Sequence, residues 1–248
     1  MIELQHISKT FNRGTANEVN ALKDVTLKTE SSQFIVVIGS NGSGKSSLMN
    51  ALAGSIHPDE GKILIDGIDI TRFKEHERSK WIARIFQNPL MGTAPELSIL
   101  ENFRLAALRT QSKKLVTGTT EKFRRRVQEK ISLLNLGLEN KIDQQMGTLS
   151  GGQRQALTLL MAVMDETKIL LMDEPAAALD PKTSTLLMQL AEKIIREFNL
   201  TALLITHQLK DVITYGDRVI LMHEGTILKD LNKAEKSTLQ VNDIYSWF

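Results

Sequence analysis

Two glycine-rich segments stand where helices begin. The first, Gly39-Ser40-Asn41-Gly42-Ser43-Gly44-Lys45-Ser46-Ser47, follows the apolar run Phe34 to Ile38 and leads into a helical pattern. Glycines that bracket four residues, followed at once by a lysine and a hydroxyl, suit a phosphate-binding loop. Backbone N–H groups close on the phosphate oxygens, Lys45 neutralises the β- and γ-phosphates, and Ser46 supplies a hydroxyl to Mg²⁺. The second segment is Leu149-Ser150-Gly151-Gly152-Gln153. It is another anion-attracting helix start. One nucleotide needs one such loop, so the second leaves open whose phosphate it faces.

The run Ile169-Leu170-Leu171-Met172-Asp173-Glu174 has the form of a buried strand that delivers two carboxylates at its carboxyl end. An Asp-Glu pair after a strand is ordinarily a pair of solvated acids. In a chain with a phosphate loop it becomes the second requirement of a nucleoside triphosphatase. Asp173 then holds Mg²⁺ through a water, and Glu174 orients and polarises the attacking water.

These groups need a scaffold that brings strand ends to helix starts. Alternation in Ile2 to Phe11 and Val25 to Leu27 predicts half-exposed strands, and Lys62 to Ile70 reads as a hairpin turning at Asp66-Gly67. Those belong to an antiparallel layer. Phe34 to Ile38, Ile82 to Phe86, Ile169 to Met172 and Ala202 to Ile205 are short continuous apolar runs, the mark of strands buried on both faces of a parallel sheet. Between Asn88 and Met164 the strand pattern vanishes, leaving helical stretches near 98–109, 119–136 and 151–164. A further helix, Thr183 to Phe198, carries Leu186, Leu187, Leu190, Ala191, Ile194, Ile195 and Phe198 as one apolar stripe. The expected architecture is α/β: a mostly parallel sheet core of the P-loop NTPase (RecA-like) type, an antiparallel β subdomain and an inserted α-helical subdomain. The chain then forms one domain over 1–248, with 1–87 and 165–248 as the nucleotide-binding core and 88–164 as the helical insertion.

Composition bounds the rest. The chain has 248 residues, 42% hydrophobic and 24% charged, enough apolar mass to fold without staples. It has no cysteine, which excludes disulfides and Cys-ligated zinc and suits a reducing cytosol. Met1-Ile2-Glu3-Leu4-Gln5 lacks the order of a secretory signal. The run Ala156 to Met164 falls far short of the roughly 20 residues that cross a bilayer. A net charge of +2 does not argue for nucleic acid. Locally, Arg104, Arg109, Lys113, Lys114, Lys122, Arg124, Arg125, Arg126 and Lys130 outnumber Glu101, Glu121 and Glu129. That segment reads either as a solvated helical face or as a surface turned to anionic headgroups.

Taken together, Gly39 to Ser47, Gln87 after a strand, Leu149 to Gln153, Ile169 to Glu174, Ala178-Leu179-Asp180 and His207 occur in an order and spacing that resembles the nucleotide-binding domains of ABC transporters. The resemblance covers nearly the whole chain. It implies an ATPase in which ATP is sandwiched between two copies arranged head to tail. Ser150, Gly151, Gly152 and Gln153 of one copy then cap the γ-phosphate held by the phosphate loop of the other. Their chemistry agrees: Ser150 can cap its helix, and the glycines admit a close phosphate. The resemblance further implies that Gln87 touches Mg²⁺ and the water and reports nucleotide state to a membrane partner. It gives His207 to the γ-phosphate beside Glu174, Phe11 to the adenine ring and Asp180 to the dimer seam. The implied partners are a second copy, transmembrane permease subunits and an extracytoplasmic solute-binding protein. The implied place is the cytoplasmic face of the cell membrane, with the chain soluble when isolated.

There are departures. Ala176 and Ala177 stand where such proteins often have a hydroxyl before Ala-Leu-Asp, which puts side-chain hydrogen bonds of that loop in doubt. Asn88 to Glu96 is slightly longer than usual, in a segment that would dock the membrane partner. This segment and the Ala-Leu-Thr-Leu-Leu helix resemble ATPases of bacterial importers for amino acids or similar small solutes. The competing readings are a soluble ABC-type ATPase acting on DNA or ribosomes and a different P-loop enzyme. The first usually carries a coiled-coil insertion, zinc-binding cysteines or tandem domains, and Leu149 to Gln153 argues against the second.

Overall fold

The four short apolar runs become four strands of one sheet. The computed structural model describes residues 1–109 and 118–247. In chain order the elements are β1 (Ile2–Phe11), β2 (Val19–Lys28), β3 (Phe34–Ile38), α1 (Lys45–Ala53), β4 (Glu60–Ile65), β5 (Ile68–Asp69), α2 (Glu75–Arg78), β6 (Ile82–Ile85), α3 (Ile99–Ala106), α4 (Glu121–Ser132), α5 (Gly151–Ala162), β7 (Ile169–Asp173), α6 (Pro181–Glu197), β8 (Thr201–Ile205), α7 (Leu209–Thr214), β9 (Arg218–His223), β10 (Thr226–Leu231), α8 (Lys233–Ser237) and α9 (Val241–Tyr245). Strands β3, β6, β7, β8 and β9 run parallel in the six-stranded order β10-β9-β3-β8-β7-β6. β10 returns antiparallel at one edge. Every residue of β3 and β8 is buried, as helices or the second sheet cover both faces.

β9 and β10 extend the sheet beyond the sequence reading, which passed over Val219 to Met222. β10 is mostly exposed and carries no apolar alternation, so its half of the hairpin gave no periodic signal. The antiparallel layer, β2-β1-β4-β5, is present as expected. Its hairpin turns at Asp66 (φ 49°) and Gly67 (φ 80°), the mirror-image turn that matches strand twist. β2 begins at Val19 rather than Val25; in its first half the buried residues Ala21 and Leu22 are adjacent and flanked by exposed ones, which breaks the strict alternation.

Two hydrophobic clusters lie on opposite faces of the large sheet. One joins Ile35, Val37, Leu171, Leu203 and Ile205 to α1 and the antiparallel layer. The other joins Val36, Ile38, Leu170, Met172 and Leu204 to α3, α4, α5 and α6. Between β6 and β7 the described residues form helices and turns, with one isolated bridge between Ser98 and Gln145. The basic stretch is partly consumed in closing this region. Arg109 Nη2 donates to the Ala162 carbonyl at 2.8 Å, Arg126 Nη2 to Met164 at 2.9 Å and Lys130 Nζ to Val163 at 3.2 Å. Cations thus satisfy carbonyls at and just beyond the end of α5, where the helix dipole is negative. Lys113 and Lys114 lie outside the described residues. Among the described residues no helix is long and apolar enough to cross a membrane.

Candidate active site

At the carboxyl edge of the large sheet, three chain segments converge. From β3 the chain passes through residues 39–44 into α1. Gly44 has φ 101°, and a side-chain carbon there would stand 2.5 Å from the Ala21 carbonyl oxygen and 3.3 Å from Gly225 Cα. Only glycine fits between those backbones. The β9–β10 turn clamps the loop from outside: Gly225 N–H donates to Ser43 O at 3.0 Å, and Lys23 N–H donates to Gly225 O at 2.9 Å. Within it, buried Lys45 donates through Nζ to the carbonyls of Gly39 at 2.8 Å and Ser40 at 2.9 Å. No side chain caps α1 at Gly44. The first amides of that helix are therefore left for an anion. Ser46 is exposed on the first turn and Ser47 half-buried, while Asn41 and Gly42 are exposed at the loop tip.

β7 ends on Asp173. Glu174 follows with φ 48°, a left-handed conformation that costs a non-glycine residue about 1–3 kcal/mol. Its N–H donates to the Ile205 carbonyl at 3.0 Å, pinning the turn to the end of β8. The Glu174 Oε1 then lies 2.6 Å from His207 Nε2. Burial pulls the Lys45 ammonium below its ordinary pKa, while the charges of Glu174 and Asp173 oppose that shift. Lys45, Asp173 and Glu174 therefore share one electrostatic neighbourhood. The loop bearing His207 is fixed by Thr206, whose hydroxyl donates to Asp211 Oδ2 at 3.2 Å and accepts from the Gln208 N–H at 3.1 Å.

The turn after Glu174 is held by backbone alone. Ala177 N–H donates to Glu174 O at 3.1 Å and Leu179 N–H to Ala176 O at 3.2 Å, so the missing hydroxyl is not needed to close it. Asp180 then caps α6, accepting from the N–H groups of Lys182 at 3.2 Å and Thr183 at 3.1 Å. Hydrogen bonds from Thr183 hold its carboxyl below the ordinary range.

Gln87 sits exposed just beyond β6. Gln155 Nε2 donates to the neighbouring Phe86 carbonyl at 2.8 Å and so ties α5 to that segment. At the start of α5, Ser150 Oγ accepts from the Gln153 N–H at 3.3 Å, and Gln153 Oε1 accepts from the Ser150 N–H at 3.2 Å. The sequence predicted the cap from Ser150, and the return bond to Gln153 makes it reciprocal. Gly151 and Gly152 pack toward Leu179 and Thr183. Among the described residues no hydrogen bond joins 150–153 to 39–47. Phe11 ends β1, half-buried, with Lys9 Nζ 5.7 Å from its ring centroid.

The site also holds a residue that sequence reasoning missed. Arg84 of β6 donates through Nη2 to Asp173 Oδ2 at 3.2 Å. Its signal was a charge inside the otherwise apolar run Ile82 to Phe86. The donor set suits a hard cation bound mostly by substrate. Among the described residues no three His, Cys, Asp or Glu side chains cluster as a metal cage. Ser46, Gln87 and Asp173 carry oxygens of the hard kind that Mg²⁺ accepts beside phosphate oxygens.

Comparison with known proteins agrees with this arrangement. The family model described as ABC transporter matches residues 22–177. A tyrosine transport ATP-binding protein of Clostridioides difficile is 36% identical over 248 residues, covering 100% of this chain and 98% of that protein. A methionine import ATP-binding protein of Enterococcus faecalis is 36% identical over 234 residues, 93% of this chain and 64% of that protein. A dimeric ATP-binding cassette, solved in a post-hydrolysis state with ADP and Pi, superposes with a TM-score of 0.79 at 29% identity, covering 94% of this chain and 99% of that one. An uncapped phosphate-loop helix beside Asp173, Glu174 and His207, together with a family match spanning well over half its length, makes this chain a member of the ABC transporter family, one of its ATP-binding and ATP-hydrolysing subunits.

Proposed function

We propose that the chain powers import of a small solute, an amino acid or similar compound, as a head-to-tail homodimer at the cytoplasmic face of the membrane. Its partners are separate permease subunits and an extracytoplasmic solute-binding protein. Full-length similarity to a tyrosine transport subunit supports the solute class. The loop after Gln87 supports the permease contact, since Leu90 and Met91 expose 47% and 53% of their surface there. In this reading 1–87 with 165–248 form the ATP-binding core, and 88–164 form the helical subdomain.

The site residues take distinct roles. The amides of Gly39, Ser40, Asn41, Gly42, Ser43 and Gly44, with Lys45, Ser46 and Ser47, hold the phosphates of ATP, and Phe11 stacks on adenine. Ser46, Gln87 and Asp173 hold Mg²⁺, which when bound neutralises charge on the β- and γ-phosphate oxygens. Glu174 polarises the attacking water, and His207 steadies both that carboxylate and the γ-phosphate. Ser150, Gly151, Gly152 and Gln153 cap the γ-phosphate of the partner copy, and Asp180 lies at the seam.

The observation that carries this chemistry is the 2.6 Å contact of His207 with Glu174 beside Lys45. Glu174→Gln keeps the size of the side chain and removes its basicity. ATP binding is expected to persist while turnover falls by about 10²–10⁴-fold and an ATP-bound dimer accumulates. A monomeric, fully active variant would refute the assignment. Affinity purification from detergent-solubilised membranes identifies the partners. Recovery in ribosomal or nucleoid fractions, with none in membranes, would overturn the transport role.

A further inference from the structure

Among the described residues β6 is the edge strand of the large sheet and pairs only with β7. Arg84 stands opposite Leu171, so Asp173 is its diagonal neighbour two residues on and shares its face. That face is packed by α1: Ile82 and Leu171 belong to one buried cluster with Leu48, Met49 and Leu52. An aliphatic side chain would suit the position. A guanidinium occupies it instead, with its Cζ 4.7 Å from the Phe86 ring centroid. The side chain is only 14% exposed, and Nε is buried with no hydrogen-bond partner.

An orphaned buried donor costs stability, and exchanging a buried ion pair for apolar packing is often neutral or favourable. Fold stability therefore does not account for this arginine. Its one hydrogen bond to another side chain goes to Oδ2 of Asp173 at 3.2 Å, which leaves Oδ1 as the oxygen to face the site. We propose that Arg84 is a positioning residue that fixes the Asp173 carboxylate in the orientation that meets Mg²⁺ or its water. This rests on the reading of Asp173 as the carboxylate on the metal side. Orientation and charge predict opposite signs on removal. Loss of a nearby positive charge strengthens cation binding, whereas loss of the restraint weakens it.

The test is a Mg²⁺ titration of the purified full chain, followed by the fluorescence of bound N-methylanthraniloyl-ATP and, separately, by ATPase rate. Arg84→Met is expected to bind the nucleotide without Mg²⁺ as the parent does. Its half-saturating Mg²⁺ is expected to rise about tenfold in both readouts, the low end for losing an outer partner of a metal-site ligand. Arg84→Lys keeps charge and a donor for this single hydrogen bond and should return to within about threefold of the parent. If Arg84→Met does not fold, Arg84→Gln, whose amide falls short of Asp173, carries the same expectation. An unchanged or lower half-saturating Mg²⁺ overturns the proposal. Asp173→Asn, titrated alongside, separates the two readings. If it behaves as the parent, the role of Asp173 fails and Arg84 with it; if it shifts while Arg84→Met does not, only the role of Arg84 fails.

Discussion

Replacing Arg78 by methionine should remove the hydrogen-bonded tie between the end of the phosphate-loop helix and the segment that follows β5. Arg78 is fully buried and makes four hydrogen bonds, each to a carbonyl. Nη1 donates to Ala51 at 2.6 Å and Leu52 at 2.9 Å, Nη2 to Thr71 at 2.9 Å, and Nε to Phe73 at 3.0 Å. Ala51 and Leu52 belong to the last turn of α1, whose carbonyls have no partner within the helix. Burial pulls the guanidinium down to about 10, still charged at neutral pH, so it also sits favourably at the negative end of the helix. Hydrogen bonds from a charged donor contribute about 1.5–3 kcal/mol each, for a gross loss of roughly 6–12 kcal/mol. Water entering the vacated space restores part of that. The net loss should approach the ~3–5 kcal/mol seen when one partner of a buried charged contact is removed. Such a loss is a large share of the ~5–15 kcal/mol that stabilises an ordinary domain. Urea unfolding followed by the fluorescence of Trp81, whose ring lies 6.1 Å from Phe73, measures it directly. Arg78→Lys keeps the charge but not the fork and should fall between parent and Met. A loss below about 1 kcal/mol for Arg78→Met would refute the reasoning, since that is no more than one ordinary hydrogen bond.

Two further outcomes are expected. Ser150→Arg places a long cation at the start of α5 and should leave ATP binding by a single copy nearly intact while abolishing ATP-dependent dimerisation and turnover, read by fluorescence titration and light scattering; parallel loss of binding would count against a role for this helix on the partner's nucleotide. Burial holds the Asp211 carboxyl above its ordinary range, so the folded chain binds that proton more tightly than the unfolded chain and loses stability as pH rises from about 4 through the raised pKa. Asp211→Asn keeps an acceptor for Thr206 and should melt higher than the parent at pH 7 but not at pH 4; an equal difference at both would show that ionisation of Asp211 is not the cause.

The phosphate loop and the two carboxylates were legible because their meaning is local. Glycines, Lys45 and Ser46 act through a short stretch of chain, and a continuous apolar run such as Ile169 to Met172 announces a strand covered on both faces. β9 carries the same mark, the buried apolar run Val219 to Met222, and went unread, whereas its partner β10 faces solvent and offers no period. Yet the turn between them supplies Gly225, which clamps the phosphate loop. The basic stretch likewise resembled a solvated surface. The three cations that close α5 act on carbonyls up to 53 residues away, a distance that no periodicity records.

What the sequence determined by itself is therefore the set of candidate groups: a glycine-rich loop with its lysine, two adjacent carboxylates at a strand end and a second glycine-rich helix start, each set by residue type and spacing within one segment. The tertiary structure decided which of these meet. Parallel pairing of β3, β7 and β8 brings Lys45, Asp173, Glu174 and His207 to one sheet edge, and strain at Glu174 aims its carboxylate at the histidine. Among the described residues no hydrogen bond joins Ser150 to Gln153 to the loop of their own chain, and the pairing of β6 with β7 sets Arg84 against Asp173. Contacts of that kind depend on register between strands distant in sequence, and register is set by the packing of whole sheet faces rather than by any one segment.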